Sequence, residues 1–160
     1  MDAINTFSWM ILLPLLASPL IYIIGRVSVR WNRSRMGTQG PKPRFNPASW
    51  LAALALLATG VFLYFTALGY QAARIADPLI VKIGVVALHI DGVSLLLAAV
   101  VITLALLVTI FSSHYMRGEA GEEKFYSMLV AMTGTIIGLG CAADLFNLWV
   151  WFECMAITSY

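Results

Sequence analysis

The chain has 160 residues, 61% of them hydrophobic and only 11% charged, against roughly 25% charged in an ordinary soluble domain. No water-soluble globule of this length needs so much apolar surface, and the bilayer is the solvent that accepts it. The formal net charge of +2 says little as a total, but its distribution along the chain is informative.

Crossing roughly 30 Å of hydrocarbon takes about 20 residues without charge at 1.5 Å of rise each. The chain opens with Asp2 and has no basic segment before its first apolar stretch. No convincing cleavage site follows, so residues 6–24 read as a retained first span and not as a removed leader. This span carries Pro14 and Pro19, which membrane helices tolerate because neighbouring groups satisfy the freed carbonyls. Residues 25–47 are basic, with Arg26, Arg30, Arg33, Arg35, Lys42 and Arg44 and no acid. Their Gly, Pro, Ser and Asn content predicts a loop or flexible linker. A second span is expected over residues 48–70. Residues 71–91 are mixed, and the loose alternation over 80–90 predicts a short hairpin outside the membrane. A third span, rich in Leu, Val and Ala, covers 92–111, and the charged connection 112–124 follows. The fourth covers 125–143 and contains Gly134, Gly138 and Gly140. A fifth apolar stretch starts at Asp144 and is still running at Tyr160. The expected fold is therefore an all-α integral membrane protein: a single transmembrane domain of about five helices, the fifth ending at the chain terminus.

Orientation follows the Lys/Arg asymmetry of the connections. Arg26, Arg30, Arg33, Arg35, Lys42, Arg44, Arg117 and Lys124 fall on one side, against Arg74 and Lys82 on the other. That predicts residues 25–47 as a basic cytoplasmic loop, with 112–124 on the same side. The N-terminus and residues 71–91 then face outward. The basic loop suits anionic lipid head groups. Topology already accounts for it, which leaves no case for a nucleic-acid site.

Glu153 is the one charged side chain within an apolar stretch. It lies nine residues beyond Asp144, roughly 13 Å along a helix and close to mid-bilayer. A charge at that depth costs on the order of 3 kcal/mol, so such a residue faces a bundle interior or a wet cavity, paired or protonated. Burial raises a carboxyl pKa and a neighbouring cation lowers it; a glutamate held between the two can change protonation when a neighbour moves, as a proton relay requires. The plainer alternative is a protonated structural anchor bonded to a neighbouring helix. Asp144 sits where its helix starts, and capping is its better reading. Asn147, one turn on, could hydrate a path or simply pair with another helix.

Other residues support only bland roles. Trp149 and Trp151 flank Glu153 but suggest no cofactor. Gly134 and Gly138 form a Gly-x-x-x-Gly pair, which in a membrane helix usually means close packing. Cys141 and Cys154 lack metal-type or CxxC spacing and read as small buried residues. His89 and His114 are isolated and outside the spans. No phosphate loop, nucleophile motif or ligand cluster is present in the sequence.

Three ordered strings carry a family resemblance. DLFNLWVWFECMAITSY at residues 144–160 closely resembles the fifth-helix signature of the antiporter-like family. That family includes large membrane subunits of NADH:quinone oxidoreductase (respiratory complex I), of membrane-bound hydrogenases and of multi-subunit cation/proton antiporters. IDGVSLLL at 90–97 looks like the motif opening its third helix, and FSSHYMRGE at 111–119 like the loop after it. The first 89 residues agree in topology only.

The resemblance implies that Glu153 falls on the family's key fifth-helix glutamate, which pairs with a lysine in a later helix and modulates proton transfer. Asp144 falls on an acid present in some branches, where a role in proton access is conceivable. The layout implied is a larger bundle with inverted repeats around mid-membrane sites. The expected function is that of a proton-translocating subunit of an NADH:quinone oxidoreductase-type complex, in an energy-transducing bacterial inner or organellar membrane. Its partners would be other membrane subunits and lipid. Quinone, flavin and iron–sulfur clusters would reside in partner subunits, with no cofactor on this chain. Two alternatives stand beside it: a sodium/proton antiporter subunit, which the DLFN form also suits, and a structural scaffold without transport of its own. The chain stops seven residues after Glu153, short of the family's partner lysine, so an N-terminal portion of a longer protein is expected.

Overall fold

Among the described residues, five helices and one hairpin follow in the order α1 (Ala3–Met36), α2 (Pro47–Ala72), β1 (Leu79–Ile83), β2 (Val86–Ile90), α3 (Gly92–Tyr115), α4 (Glu122–Gly140) and α5 (Leu145–Ser159). The structure is a computed structural model, and it describes residues 3–36, 47–72, 79–83, 86–117, 119 and 121–159. The architecture is the expected all-α membrane fold. Residues 7–31, 47–71 and 92–115 lie in helices long and apolar enough to cross a bilayer.

One expectation is corrected. The composition of residues 25–36 predicts the start of a loop, but α1 runs unbroken through them for 34 residues, or about 51 Å. Arginines set where the hydrocarbon ends, and they do not end a helix. The basic segment is thus, up to Met36, a helical extension of the first span. The rest of the predicted loop, residues 37–46, lies outside the described residues. Elsewhere the helix ends differ from expectation by at most four residues. α4 begins at the acids Glu122 and Glu123, which suit the positive end of a helix dipole.

The expected hairpin is present, with β1 and β2 antiparallel and Leu79 opposite Ile90 through Ile83 opposite Val86. It does not float free. The backbone N–H of His89 donates to Cys141 O at 2.7 Å, and Ala143 N–H donates to Ala87 O at 3.1 Å. These bonds tie the corner between α4 and α5 to the hairpin and give its backbone groups partners. Leu88 and Ile90 of β2 join Phe7, Met10, Leu95, Ala98 and Ile137 in one core cluster near this end. A second cluster, with Ile21, Ala52, Leu56, Tyr126 and Val130, fills the opposite end.

The two ends differ in their polar chemistry. At the hairpin end Asp91 caps α3: its Oδ1 accepts from Ser94 N–H at 2.7 Å, while Asp91 N–H donates to Ser94 Oγ at 2.9 Å, a reciprocal capping box. At the other end Arg26 Nη1 lies 3.6 Å from Glu123 Oε1. That contact joins α1 to the first turn of α4 and places the predicted first and third connections at the same end of the bundle. Toward this same end, hydroxyls bond from helix to helix. Ser18 and Ser127 share an Oγ–Oγ contact of 3.0 Å, and Ser112 Oγ donates to Tyr126 OH at 3.3 Å.

Candidate functional site

The site is organised by how α5 lies against α4. A Cβ placed on Gly138 would stand 2.7 Å from Cδ2 and Cε2 of Trp151, closer than any real side chain tolerates. The indole therefore rests on the bare glycine backbone. Gly134, one turn earlier, serves a different neighbour: its Cβ would meet Pro14 Cγ at 3.0 Å and Leu15 Cγ at 3.1 Å. The Gly-x-x-x-Gly pair thus lets α4 approach α1 with one glycine and α5 with the other.

The first turn of α5 is pinned by polar contacts. Asp144 Oδ1 accepts from Asn147 N–H at 2.8 Å, and the Asn147 carboxamide donates to Asp144 Oδ2 at 2.6 Å and to Ala87 O at 3.3 Å. Asn147 is 3% exposed, so its three bonds replace water. Asp144 does here what its position suggests: it caps α5, with both carboxylate oxygens engaged.

Asn147 and Trp151 are four residues apart and share a face, so the face of α5 turned toward the bundle is set. Glu153 follows Trp151 by two residues, about 200° of rotation, and is exposed on the opposite face. Around it stand Phe146, Trp149, Val150, Phe152 and Ile157, all large, apolar and exposed. Among the described residues no cation pairs with the Glu153 carboxylate. Its nine-residue separation from Asp144 corresponds to about half a turn beyond two full turns, so the two acids do not share a face.

Several participants escape sequence reasoning. Asp91 and Ser94 stand out there as part of a motif and not as a cap, although an Asp three residues before a Ser at the head of an apolar run is a readable signal. Glu122 and Glu123 fall within the charged connection 112–124 in the sequence, and both are buried at the start of α4. Trp151 carries no assignable role in the sequence, because its contact with Gly138 depends on two helices meeting, which single-helix periodicity does not show. Cys141 is buried and Cys154 half-buried, and His114 lies exposed in the last turn of α3.

Comparison with known proteins bears on the same elements. A family model described as NADH-Ubiquinone oxidoreductase (complex I), chain 5 N-terminus matches residues 84–126. The chain is 32% identical over 71 residues to NAD(P)H-quinone oxidoreductase subunit 5, chloroplastic, of Adiantum capillus-veneris, covering 44% of this chain and 10% of the relative. The corresponding Mesostigma viride protein aligns over the whole chain at 24% identity, covering 24% of its own length. A probable K(+)/H(+) antiporter subunit of Rhizobium meliloti is 27% identical over 73 residues, 46% of this chain and 7% of the relative. The chain thus spans between about a tenth and a quarter of the length of these quinone oxidoreductase relatives. Two of the three motif strings, at 90–97 and 111–119, fall inside the matched segment 84–126, so over this segment the chain is similar to the antiporter-like family of membrane subunits.

Proposed function

We propose that this chain forms part of a proton-translocating, antiporter-like subunit of an NADH:quinone oxidoreductase-type complex, with Glu153 as a group that takes up and releases the translocated proton. The observation that carries the reading is the position of Glu153: mid-helix in α5, on the face turned away from the bundle, ringed by exposed apolar side chains. A carboxylate facing lipid at that depth costs about 3 kcal/mol by insertion scales. A covering helix that supplies a cation removes the cost and gives the carboxylate two states, ionised when the cation is near and protonated when it withdraws. A lysine on such a helix, from a later segment or a neighbouring subunit, is the partner this reading requires. Asp144 is committed to its cap and, on the opposite face of α5, is proposed as a fixed anchor and not as a step of the path. Electron transfer and its quinone, flavin and iron–sulfur groups belong, on this reading, to other subunits of the complex. The basic extension of α1 would lie on the cytoplasmic side and the N-terminus outside.

Glu153→Gln keeps the shape and removes titration. In the assembled complex it should lower the protons moved per NADH oxidised. Undiminished translocation would reduce Glu153 to a hydrogen-bonded anchor and make this chain a scaffold. The similarity to the Rhizobium meliloti protein favours one second reading, a cation/proton antiporter subunit. Proton movement driven by a sodium or potassium gradient, without NADH or quinone, would select it.

A further inference from the structure

We propose that Gly138 and Asn147 are positioning residues for Glu153: together they set the rotation of α5 about its own axis, and so the direction in which the carboxylate is presented. The inference rests on the relay reading of Glu153 and adds to it the contacts that hold the relay in place. Neither residue touches Glu153. Gly138 offers the bare backbone on which the Trp151 indole lies, with a hypothetical Cβ only 2.7 Å from the ring. Asn147 ties the first turn of α5 to the hairpin through Ala87 O at 3.3 Å and to the helix cap through Asp144 Oδ2 at 2.6 Å. One contact restrains the start of the helix and the other its middle. Both lie on one stripe, and two fixed points on a stripe remove the freedom of a helix to roll. Glu153 lies across the axis from that stripe.

A methyl group on Gly138 must displace the indole. A shift of about 1 Å, taken up as roll or translation of α5, moves the carboxylate by a similar distance, and misplacement on that scale can cost up to a hundredfold in a step that depends on geometry. It also changes the distance between the carboxylate and whatever cation covers it, and with it the pH dependence of translocation. A merely structural contact would lower the yield of the complex without changing that dependence.

The test compares Gly138→Ala, Asn147→Leu, Asn147→Gln, Trp151→Leu and the double variant Gly138→Ala/Trp151→Leu in the intact membrane complex, reading proton translocation across a pH series. Gly138→Ala should slow translocation about tenfold and move the midpoint of its pH profile by about one unit. Trp151→Leu, added to it, makes room for the methyl group and should bring both back toward the parent. Asn147→Leu should move the midpoint, and Asn147→Gln, which keeps a carboxamide donor, should restore most of it. An unmoved midpoint in Gly138→Ala, or a double variant no better than the single one, overturns the proposal. If Gly138→Ala does not assemble, the Asn147 pair decides by the same criterion. Glu153→Gln is measured alongside: if it translocates normally the relay reading itself fails, whereas a defective Glu153→Gln with unmoved positioning variants refutes this inference alone.

Discussion

Replacing Asp91 by Ala isolates the energetic contribution of one side chain to the hairpin end of the bundle. Its carboxylate accepts the Ser94 N–H at 2.7 Å, and Ser94 Oγ accepts the Asp91 N–H at 2.9 Å. Alanine removes the first bond and leaves an orphan donor at the start of α3, while the second bond, donated by backbone, can persist. N-cap losses of this kind cost about 1 kcal/mol, or roughly a fivefold change in the folded-to-unfolded ratio. Asn keeps an acceptor in the same place, so Asp91→Asn should cost much less. Charge adds a pH signature. The Asp91 carboxyl is held below its ordinary value of 3.8, chiefly by the hydrogen bond from the Ser94 backbone, with partial burial acting the other way. A depressed folded-state pKa means that this stabilisation is present above the ordinary value and is lost as pH falls through the folded one. The gap between parent and Asp91→Ala should therefore be full at neutral pH and should narrow below 3.8. Reversible unfolding in mixed detergent micelles, followed by tryptophan fluorescence, measures both quantities. A gap under about 0.3 kcal/mol at neutral pH, or Asn as harmful as Ala, would refute the capping argument.

Two further predictions concern helix contacts. Gly134→Leu should destabilise the protein by about 1–3 kcal/mol through overpacking against Pro14 and Leu15, with Gly134→Ala costing less; a neutral Leu variant would mean that α1 and α4 do not meet as closely as the 3.0 Å approach indicates. Glu123→Gln should cost under about 1 kcal/mol, because Arg26 is largely in solvent, its side chain being 58% exposed. The loss should shrink further at high salt, and unfolding at two salt concentrations checks it.

Much of this molecule is legible without its fold. Hydrophobic runs of membrane-spanning length declare the helices, because a bilayer demands an uninterrupted apolar surface whatever the neighbours are. The alternation over 80–90 declares the hairpin. Glu153 stands out because an ionisable group is costly there in any packing. Asp144 is readable as a cap since capping is local chemistry spanning three residues. The extent of α1 is not legible from charge, which marks only where water begins and does not stop a helix.

Other features depend on pairs of residues far apart in sequence. Arg26 and Glu123 meet only because α1 and α4 lie side by side. Asn147 finds Ala87 only because the hairpin folds onto the corner between α4 and α5. Gly138 acquires its meaning from Trp151, and these last two contacts together turn Glu153 away from its own bundle. Sequence alone determined that this chain is built for a membrane and carries one carboxylate within an apolar stretch. Tertiary structure alone decided which way that carboxylate points, because the roll of a helix about its axis is set by the neighbours it packs against and not by its own composition.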